Sequence, residues 1–207
     1  MFHRLFFVVA AVAAALVLVP SALAVKAHVR VEGKTRTIFG ATAPLIDVTS
    51  PRANPLPENA LDALESASAL GEFFYHVTQT SFGPYVDQIG KYAAAGQTGW
   101  VFKVNGVSPP VGANEVRLQA GDTVLWYWAQ FGVAGGPKTL VLTRAGRCYT
   151  VRQQDDKGAL SPADGAVLRV GSRRPVATRN GRVCIGGHRG LLVRAELGGA
   201  VRSNALP

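Results

Sequence analysis

The sequence predicts an α+β protein: a first module in which one main helix packs on a mixed sheet, followed by a small all-β sandwich. A single segment carries helix signals, and it is set among short aromatic and β-branched runs that are typical of strands.

Charge also divides the chain. Residues 25–137 have eight Lys and Arg against nine Asp and Glu, whereas residues 138–207 have thirteen against four. We place the module boundary after Pro137, in a turn-rich Gly-Gly-Pro junction.

The N-terminus has the layout of a secretory signal peptide. Residues 1–4 are short and basic, residues 5–19 are apolar without interruption, and small residues lead up to Ala24. This apolar run is short for a membrane span, which needs about 20 residues. We expect cleavage after Ala24, with a retained anchor as the alternative. The mature protein should then be secreted or extracytoplasmic, associated with the cell envelope, and without a transmembrane segment.

The first module is predicted to open with a β-hairpin and to continue into its helix. Residues 25–31 and 35–39 form the two strands around the turn Gly33-Lys34. Helix signals run from Pro57 in the first turn to the stop at Gly71. One face of this helix is apolar, which favours packing across a sheet. The apolar residues are Ala60, Leu61, Leu64 and Ala67.

The later strands of the first module are aromatic. Residues 100–104 end at Asn105-Gly106, a dipeptide that accepts positive φ and marks a tight turn. Residues 123–129 are the most aromatic strand of the chain. Between them Pro109-Pro110 interrupts regular pairing, and residues 115–118 are predicted to resume it as a strand.

The second module is predicted to contain strands and one disulfide. Its strand candidates are separated by Gly and Asn turns at short spacing, as in a small β-sandwich. Its two cysteines, Cys148 and Cys184, should pair in an oxidising compartment. Cys184 and His188 also have the spacing of half a zinc site, and Cys148 could be a third ligand. A fourth ligand is missing, so we predict no metal. The strand candidates are residues 139–143, 148–153, 166–170, 182–185 and 191–196.

Two segments of the first module carry a family resemblance. Residues 99–106 read GWVFKVNG and residues 116–128 read VRLQAGDTVLWYW. This pair resembles the DUF4430 family, which is similar to the C-terminal β-domain of transcobalamin and intrinsic factor, a β-grasp-type fold that binds soluble ligands. The resemblance covers roughly residues 25–131. Residues 161–167, with two shorter segments after them, are similar to carboxypeptidase-regulatory or prealbumin-like sandwiches, which are accessory modules.

The resemblance implies a ligand-facing surface without naming the ligand. A cobalamin-type ligand would follow from it, but the vertebrate carriers hold cobalamin against a large helical barrel that this chain could not form. No other cofactor is predicted. The expected partner is an unknown small molecule or a cell-envelope polymer, and the oligomeric state is open.

Aromatic side chains are the candidate ligand contacts. Trp126 and Trp128 face one side of their strand and Tyr127 the other, so packing and a stacking platform for a flat ligand are both open interpretations. The same alternative applies to Trp100. Tyr75 is a candidate contact at the rim of such a site.

Arginines are the candidate contacts of the second module. They either form a solvated surface or attract anionic envelope material such as wall polymers or lipid headgroups. Nucleic acid is not an expected partner, because the aromatic residues that stack on bases are almost absent there. The residues concerned are Arg169, Arg173, Arg174 and Arg182.

No pattern of catalytic residues is present in the sequence. It has no GxSxG, no HExxH and no phosphate loop, and its acids are scattered singly. We therefore expect a non-enzymatic protein that binds a ligand outside the cytoplasm. The alternative is an adhesion or structural protein attached to the envelope through the basic sandwich.

Overall fold

The computed structural model describes residues 24–50, 56–132 and 135–207, so the predicted signal peptide lies outside the described residues except for Ala24. Within these ranges the chain forms one α-helix, one short 3-10 helix and fifteen strands. The elements are β1 (Lys26–Glu32), β2 (Thr37–Phe39), β3 (Leu45–Asp47), α1 (Ala60–Gly71), β4 (Tyr75–Thr80), β5 (Gly83–Ile89), β6 (Tyr92–Ala93), β7 (Thr98–Val104), β8 (Thr123–Gln130), β9 (Thr139–Ala145), β10 (Cys148–Gln154), β11 (Leu160–Pro162), β12 (Val167–Val170), β13 (Val176–Ala177), β14 (Arg182–Cys184) and β15 (Val193–Glu196).

The first module is built on a mixed sheet with the strand order β2-β1-β8-β7, and β3 pairs with β1. Strand β1 runs parallel to β8, and the other pairs are antiparallel. Helix α1 covers one face of this sheet through Leu61 and Leu64, which share a core with Val29 and Trp126. A mixed α+β arrangement with one main helix is thus confirmed at this coarse level.

The helix begins later than its sequence signals indicate. Asn59 is the N-cap: its side-chain oxygen accepts from the amides of Leu61 and Asp62, and Asp62 accepts from the amide of Asn59 in return. This capping box fixes the start at Ala60, two residues after Glu58. The helix ends at Gly71, as predicted, and Glu72 caps it with a left-handed backbone.

Two segments between α1 and β8 fold differently from the sequence-based prediction. Strands β4, β5 and β6 form a separate three-stranded sheet, so the segment after Gly90 contains a short strand that was not predicted. The predicted strand at residues 115–118 is wrong. A 3-10 helix, Ala113–Glu115, ends there, and Arg117 makes a single bridge to Asn59. The backbone of this segment bonds to the start of α1, with Val116 accepting from Ala60.

The second module contains two sheets with a common core. Strands β9, β10, β11 and β14 form one sheet, and β12, β13 and β15 form the other. Leu142 and Val151 of the first sheet belong to the same buried cluster as Leu168 and Ala195 of the second. Two of these strands, β11 and β13, have only three and two residues and were not predicted.

The predicted disulfide between Cys148 and Cys184 is present. The two residues lie directly opposite each other in the antiparallel pair of β10 and β14. The bond closes a loop with a sequence separation of 36 residues, which stabilises the fold by roughly 3–4 kcal/mol on the chain-entropy model. No helix in the described ranges is long and apolar enough to cross a membrane.

Candidate functional site

The aromatic strand β8 is covered on both faces. Trp126 and Trp128 face the helix, whereas Tyr127 faces the opposite side, as strand alternation predicts. On that side Tyr127 packs with Val201 of the second module and with Val101. Neither face of β8 is therefore an open platform across its whole length.

The tryptophans predicted as ligand contacts differ in exposure. Trp100 and Trp126 are each 2 % exposed, and their indole N–H groups donate to the carbonyls of Tyr92 at 2.8 Å and Ala60 at 3.2 Å. Trp128 is half-buried. Pairing brings Trp100 to Trp128, with 5.7 Å between ring centroids. These contacts account for much of the core, as expected of large aromatic side chains.

A cleft of about 310 Å³ lies beside β7, and we call it the aromatic cleft. One wall is residues 84–86 of β5, the second is residues 100–102 of β7, and the third is the 108–113 segment that contains Pro109. Trp126 lies at its base together with Phe102, and these two rings stack at 5.1 Å. The cleft thus brings together Trp100 and Trp126 but not Trp128 or Tyr75.

Polar groups gather at one side of the aromatic cleft. Asp156 comes from the second module, is the one charged residue among the described lining residues, and accepts from the hydroxyl of Ser108 at 3.2 Å. Burial, followed by the nearby Asp156 carboxylate, raises the pKa of Tyr127 to about 12. The neutral phenol is therefore the form present at physiological pH.

Trp128 lines a larger opening of about 710 Å³ at the junction of the modules. Gln97 and Gln130 lie on one side of it and Arg202 on the other. Five of its lining residues are glycine, and the others include polar and charged side chains such as Lys34. The aromatic cleft is the better candidate because its lining is mostly aromatic and aliphatic with a few polar groups, as in small-molecule sites generally.

Buried charges join the two modules, and the sequence analysis did not predict them. Glu32 of β1 accepts from Arg30 at 3.2 Å and from the Nε atom of Arg202 in the second module at 3.1 Å. Lys103 of β7 donates from Nζ to the backbone carbonyl of Asp155 at 2.8 Å. Burial lowers the pKa of both Arg30 and Lys103. Arg202 and Asp155 are more than 50 residues away from Glu32 and Lys103 respectively, so no local pattern could have revealed these two contacts.

Tyr75 lies on β4 and donates to the carboxylate of Glu65 on α1. This contact ties the hairpin sheet to the helix. Tyr75 is not among the residues that line either cleft.

Cys184 and His188, which have the sequence spacing of half a zinc site, make other contacts. Cys184 is in the disulfide, and His188 is buried, with Nε2 2.6 Å from the Tyr149 hydroxyl. Its Nδ1 atom donates to the carbonyl of Leu191 at 3.0 Å, so both ring nitrogens have a partner within the protein. In the part of the chain that the structure describes, no group of three His, Cys, Asp or Glu residues could hold a metal ion.

The arginines of the second module are exposed at the surface. Arg169 pairs with Glu196 at 2.7 Å, and Arg173 donates to the carbonyl of Gly187. Arg174 and Arg182 are also exposed. These side chains are therefore accessible to a charged surface or polymer.

Fold and site define a protein with a small mixed-sheet module, a second β-rich module stapled by a disulfide, and an aromatic cleft beside the edge strand β7. Residues 58–130 match the family model of DUF4430, described as a domain of unknown function. The match spans α1 to the end of β8 and contains most of the cleft. No curated protein matches this chain.

Proposed function

We propose that this is a non-catalytic, extracytoplasmic ligand-binding protein and that the aromatic cleft is its ligand site. The observation that carries the proposal is the make-up of the cleft. Aromatic and aliphatic walls are combined with a few polar groups at one side, Ser108 and Asp156, as in small-molecule sites generally. The disulfide supports a location in an oxidising compartment.

The resemblance to transcobalamin-type domains supports the same proposal. The opening hairpin, the helix across one face and the parallel pairing of β1 with β8 are compatible with a β-grasp-like first module. The two facing sheets after Lys138 are likewise compatible with a sandwich. The cleft volume of about 310 Å³ is at the lower end for ligand sites. It favours a ligand much smaller than a corrinoid.

Filling the cleft should abolish ligand binding. Val111 lines the cleft and is 45 % exposed, so Val111→Trp should occupy the cleft without disturbing the core. Leu45 on β3 is 50 % exposed and lies outside the cleft, which makes Leu45→Trp the matched control. Native mass spectrometry of protein from a secreting host should detect a small-molecule adduct on the wild type and on the control, but not on Val111→Trp.

Two outcomes would contradict this proposal. The proposal loses its support if the wild-type protein carries no adduct and binds no small molecule from a concentrated extract of the host's growth medium. An adduct that Val111→Trp retains in full would place the ligand outside the aromatic cleft.

A second candidate function is attachment to the cell envelope through the basic module. The segregation of charge into residues 138–207 supports it, as does the exposure of Arg169, Arg173, Arg174 and Arg182. Such attraction is screened over a Debye length of about 8 Å at physiological ionic strength. It should therefore weaken with added salt.

Charge reversal on this surface should reduce retention on anionic vesicles. We expect Arg174→Glu with Arg182→Glu to lower binding to vesicles of anionic phospholipid, and salt to elute the wild type. The control reverses the same number of charges on the first module, at the exposed residues Lys91 and Arg117. Equal losses in both double variants would mean that net charge alone acts, and salt-independent retention would exclude an electrostatic attachment.

A further inference from the structure

Strand β7 has an outer edge that no other strand pairs with. It is the last strand in the order β2-β1-β8-β7, and β8 is the one strand that pairs with it in the described ranges. In an antiparallel pair, the backbone groups of successive residues point alternately towards the partner and away from it. The bonds at both ends of the pair fix this alternation, because Phe131 donates to Gln97 and Asn105 donates to Thr123.

The alternation directs the backbone N–H and C=O of Trp100 and Phe102 away from β8. Odd-numbered residues from Gln97 to Asn105 bond to β8, so the even-numbered residues face outward. Two of these have partners: Thr98 exchanges both bonds with Ala95, and Val104 exchanges both with Val107. For Trp100 and Phe102 no strand, turn or side-chain bond to these outward groups exists among the described residues.

The two residues that carry these unpaired groups both line the aromatic cleft. Trp100 is 2 % exposed as a whole, and both Trp100 and Phe102 line the cleft. Buried backbone polar groups are almost always paired, because an unpaired one costs the full loss of its hydration. The cleft therefore presents up to two donors and two acceptors that a bound molecule could satisfy.

The opposite walls are poorly suited to supply these bonds. Pro84 on β5 and Pro109 in the third wall have no N–H donor. The bridges at Thr98 and Val104 limit the open edge to the two residues between them, which also restricts edge-to-edge aggregation. The unpaired edge of β7 is therefore limited to Trp100 and Phe102, inside the aromatic cleft.

We propose that the aromatic cleft binds an extended peptide segment that adds to β7 as an antiparallel or parallel strand. This inference rests on the proposed function, because it names the ligand class of the same cleft. Strand addition uses main-chain hydrogen bonds for affinity and alternate side-chain pockets for specificity. An extended peptide supplies N–H and C=O groups at the same two-residue repeat as Trp100 and Phe102.

The two sides of the cleft indicate the side chains of such a peptide. One set of alternate residues would lie beside Phe102 and Trp126, where apolar groups are favoured. The other set would lie beside Ser108 and Asp156, whose carboxylate pairs with Lys103 at 3.4 Å on one side and is still 51 % exposed. A segment in which apolar residues alternate with basic ones fits both sides.

Peptide titration of the full mature protein tests this inference. The probe is a pool of acetylated tetrapeptide amides in which Val, Leu or Phe alternates with Lys, and its control is the same pool with every backbone nitrogen methylated. Methylation removes the donors and keeps the side chains. We expect the methylated pool to bind at least about tenfold weaker, given the usual contribution of backbone hydrogen bonds. Val111→Trp should abolish binding and Leu45→Trp should not.

Hydrogen exchange measured by NMR locates the bound peptide. The amides of Trp100 and Phe102 should exchange at least about tenfold more slowly with peptide present. The amides of Val101 and Lys103 already bond to β8, so they serve as internal controls.

The outcomes separate this inference from the proposed function. Equal affinity for methylated and unmethylated peptides, absence of binding at millimolar concentration, or protection confined to other amides would overturn strand addition. If native mass spectrometry still finds a small molecule that Val111→Trp loses, ligand binding in the cleft stands without the peptide. If neither a peptide nor a small molecule binds, both proposals fall.

Discussion

Replacing Glu32 with alanine should lower the free energy of unfolding by about 3–5 kcal/mol, the usual cost of breaking a buried ion pair from one side. The Glu32 side chain has no solvent exposure. It accepts hydrogen bonds from Arg30, Thr37 and Arg202. Without it, Arg30 stays buried as a cation, with Arg194 and Arg202 as its charged neighbours. Chemical denaturation followed by tryptophan fluorescence measures the loss.

The matched control is a solvent-exposed ion pair that joins β1, the strand of Glu32, to β3. Lys26 and Asp47 are 2.6 Å apart, but their side chains are 56 % and 59 % exposed. We expect Asp47→Ala to cost less than about 1 kcal/mol. The double replacement Arg30→Met with Glu32→Leu should recover part of the stability lost in Glu32→Ala, because it removes the buried Arg30 cation, whereas Arg202 still loses its carboxylate partner. A Glu32→Ala variant as stable as Asp47→Ala would show that Arg30 finds other compensation.

Elements with local signals were predicted well from the sequence. The helix has its apolar face and its terminal Gly71 within a dozen residues, so periodicity suffices to find it. Strands β7 and β8 are similarly evident, because aromatic residues and the Asn105-Gly106 turn define them. The predicted strand at residues 115–118 does not form, because its backbone groups bond to residues 58–60 at the start of α1. This is a tertiary contact, which a local stretch of sequence cannot reveal.

The candidate site was predicted only in part. Sequence alternation correctly separates Tyr127 from Trp126, but it cannot say which face the second module covers. The aromatic cleft depends on β5 and the 108–113 segment lying against the edge of β7, and on Asp156 from a different module. The free edge itself follows from the position of β7 at the end of the sheet, which is a property of topology.

The burial of charged residues is the feature of this fold that the sequence predicts least. Lys103 lies in an aromatic strand and looks like the exposed side of an alternating pattern. In the fold its outward face is covered by the second module, so its side chain is 1 % exposed. A charge is tolerated there because Nζ donates hydrogen bonds to the backbone carbonyls of Gln154 and Asp155 and lies 3.4 Å from the Asp156 carboxylate. Burial of this kind depends on how modules pack.

Replacing Lys103 with methionine should lower the free energy of unfolding by about 2–4 kcal/mol, because it leaves buried oxygen atoms without a donor. Lys103 donates from Nζ to the carbonyls of Gln154 and Asp155 and to the hydroxyl of Thr139. Relief of the desolvated charge opposes this loss but does not cancel it, since each unsatisfied acceptor costs about 1–3 kcal/mol. Lys26→Met, at an exposed lysine, is the control and should be nearly neutral.

The pH dependence distinguishes the lost charge from a general packing defect. Burial lowers the pKa of Lys103 below its ordinary 10.5. The unfolded chain therefore holds this proton more tightly, and the stability of the wild type relative to Lys103→Met should rise with pH up to about 10.5. Tyr127 reports on the interface independently, because its pKa of about 12 reflects burial at the contact between the modules. Ultraviolet titration should show a lower pKa for Tyr127 in Lys103→Met if the modules separate. If the stability difference does not depend on pH and the pKa of Tyr127 is unchanged, Lys103 contributes through packing alone.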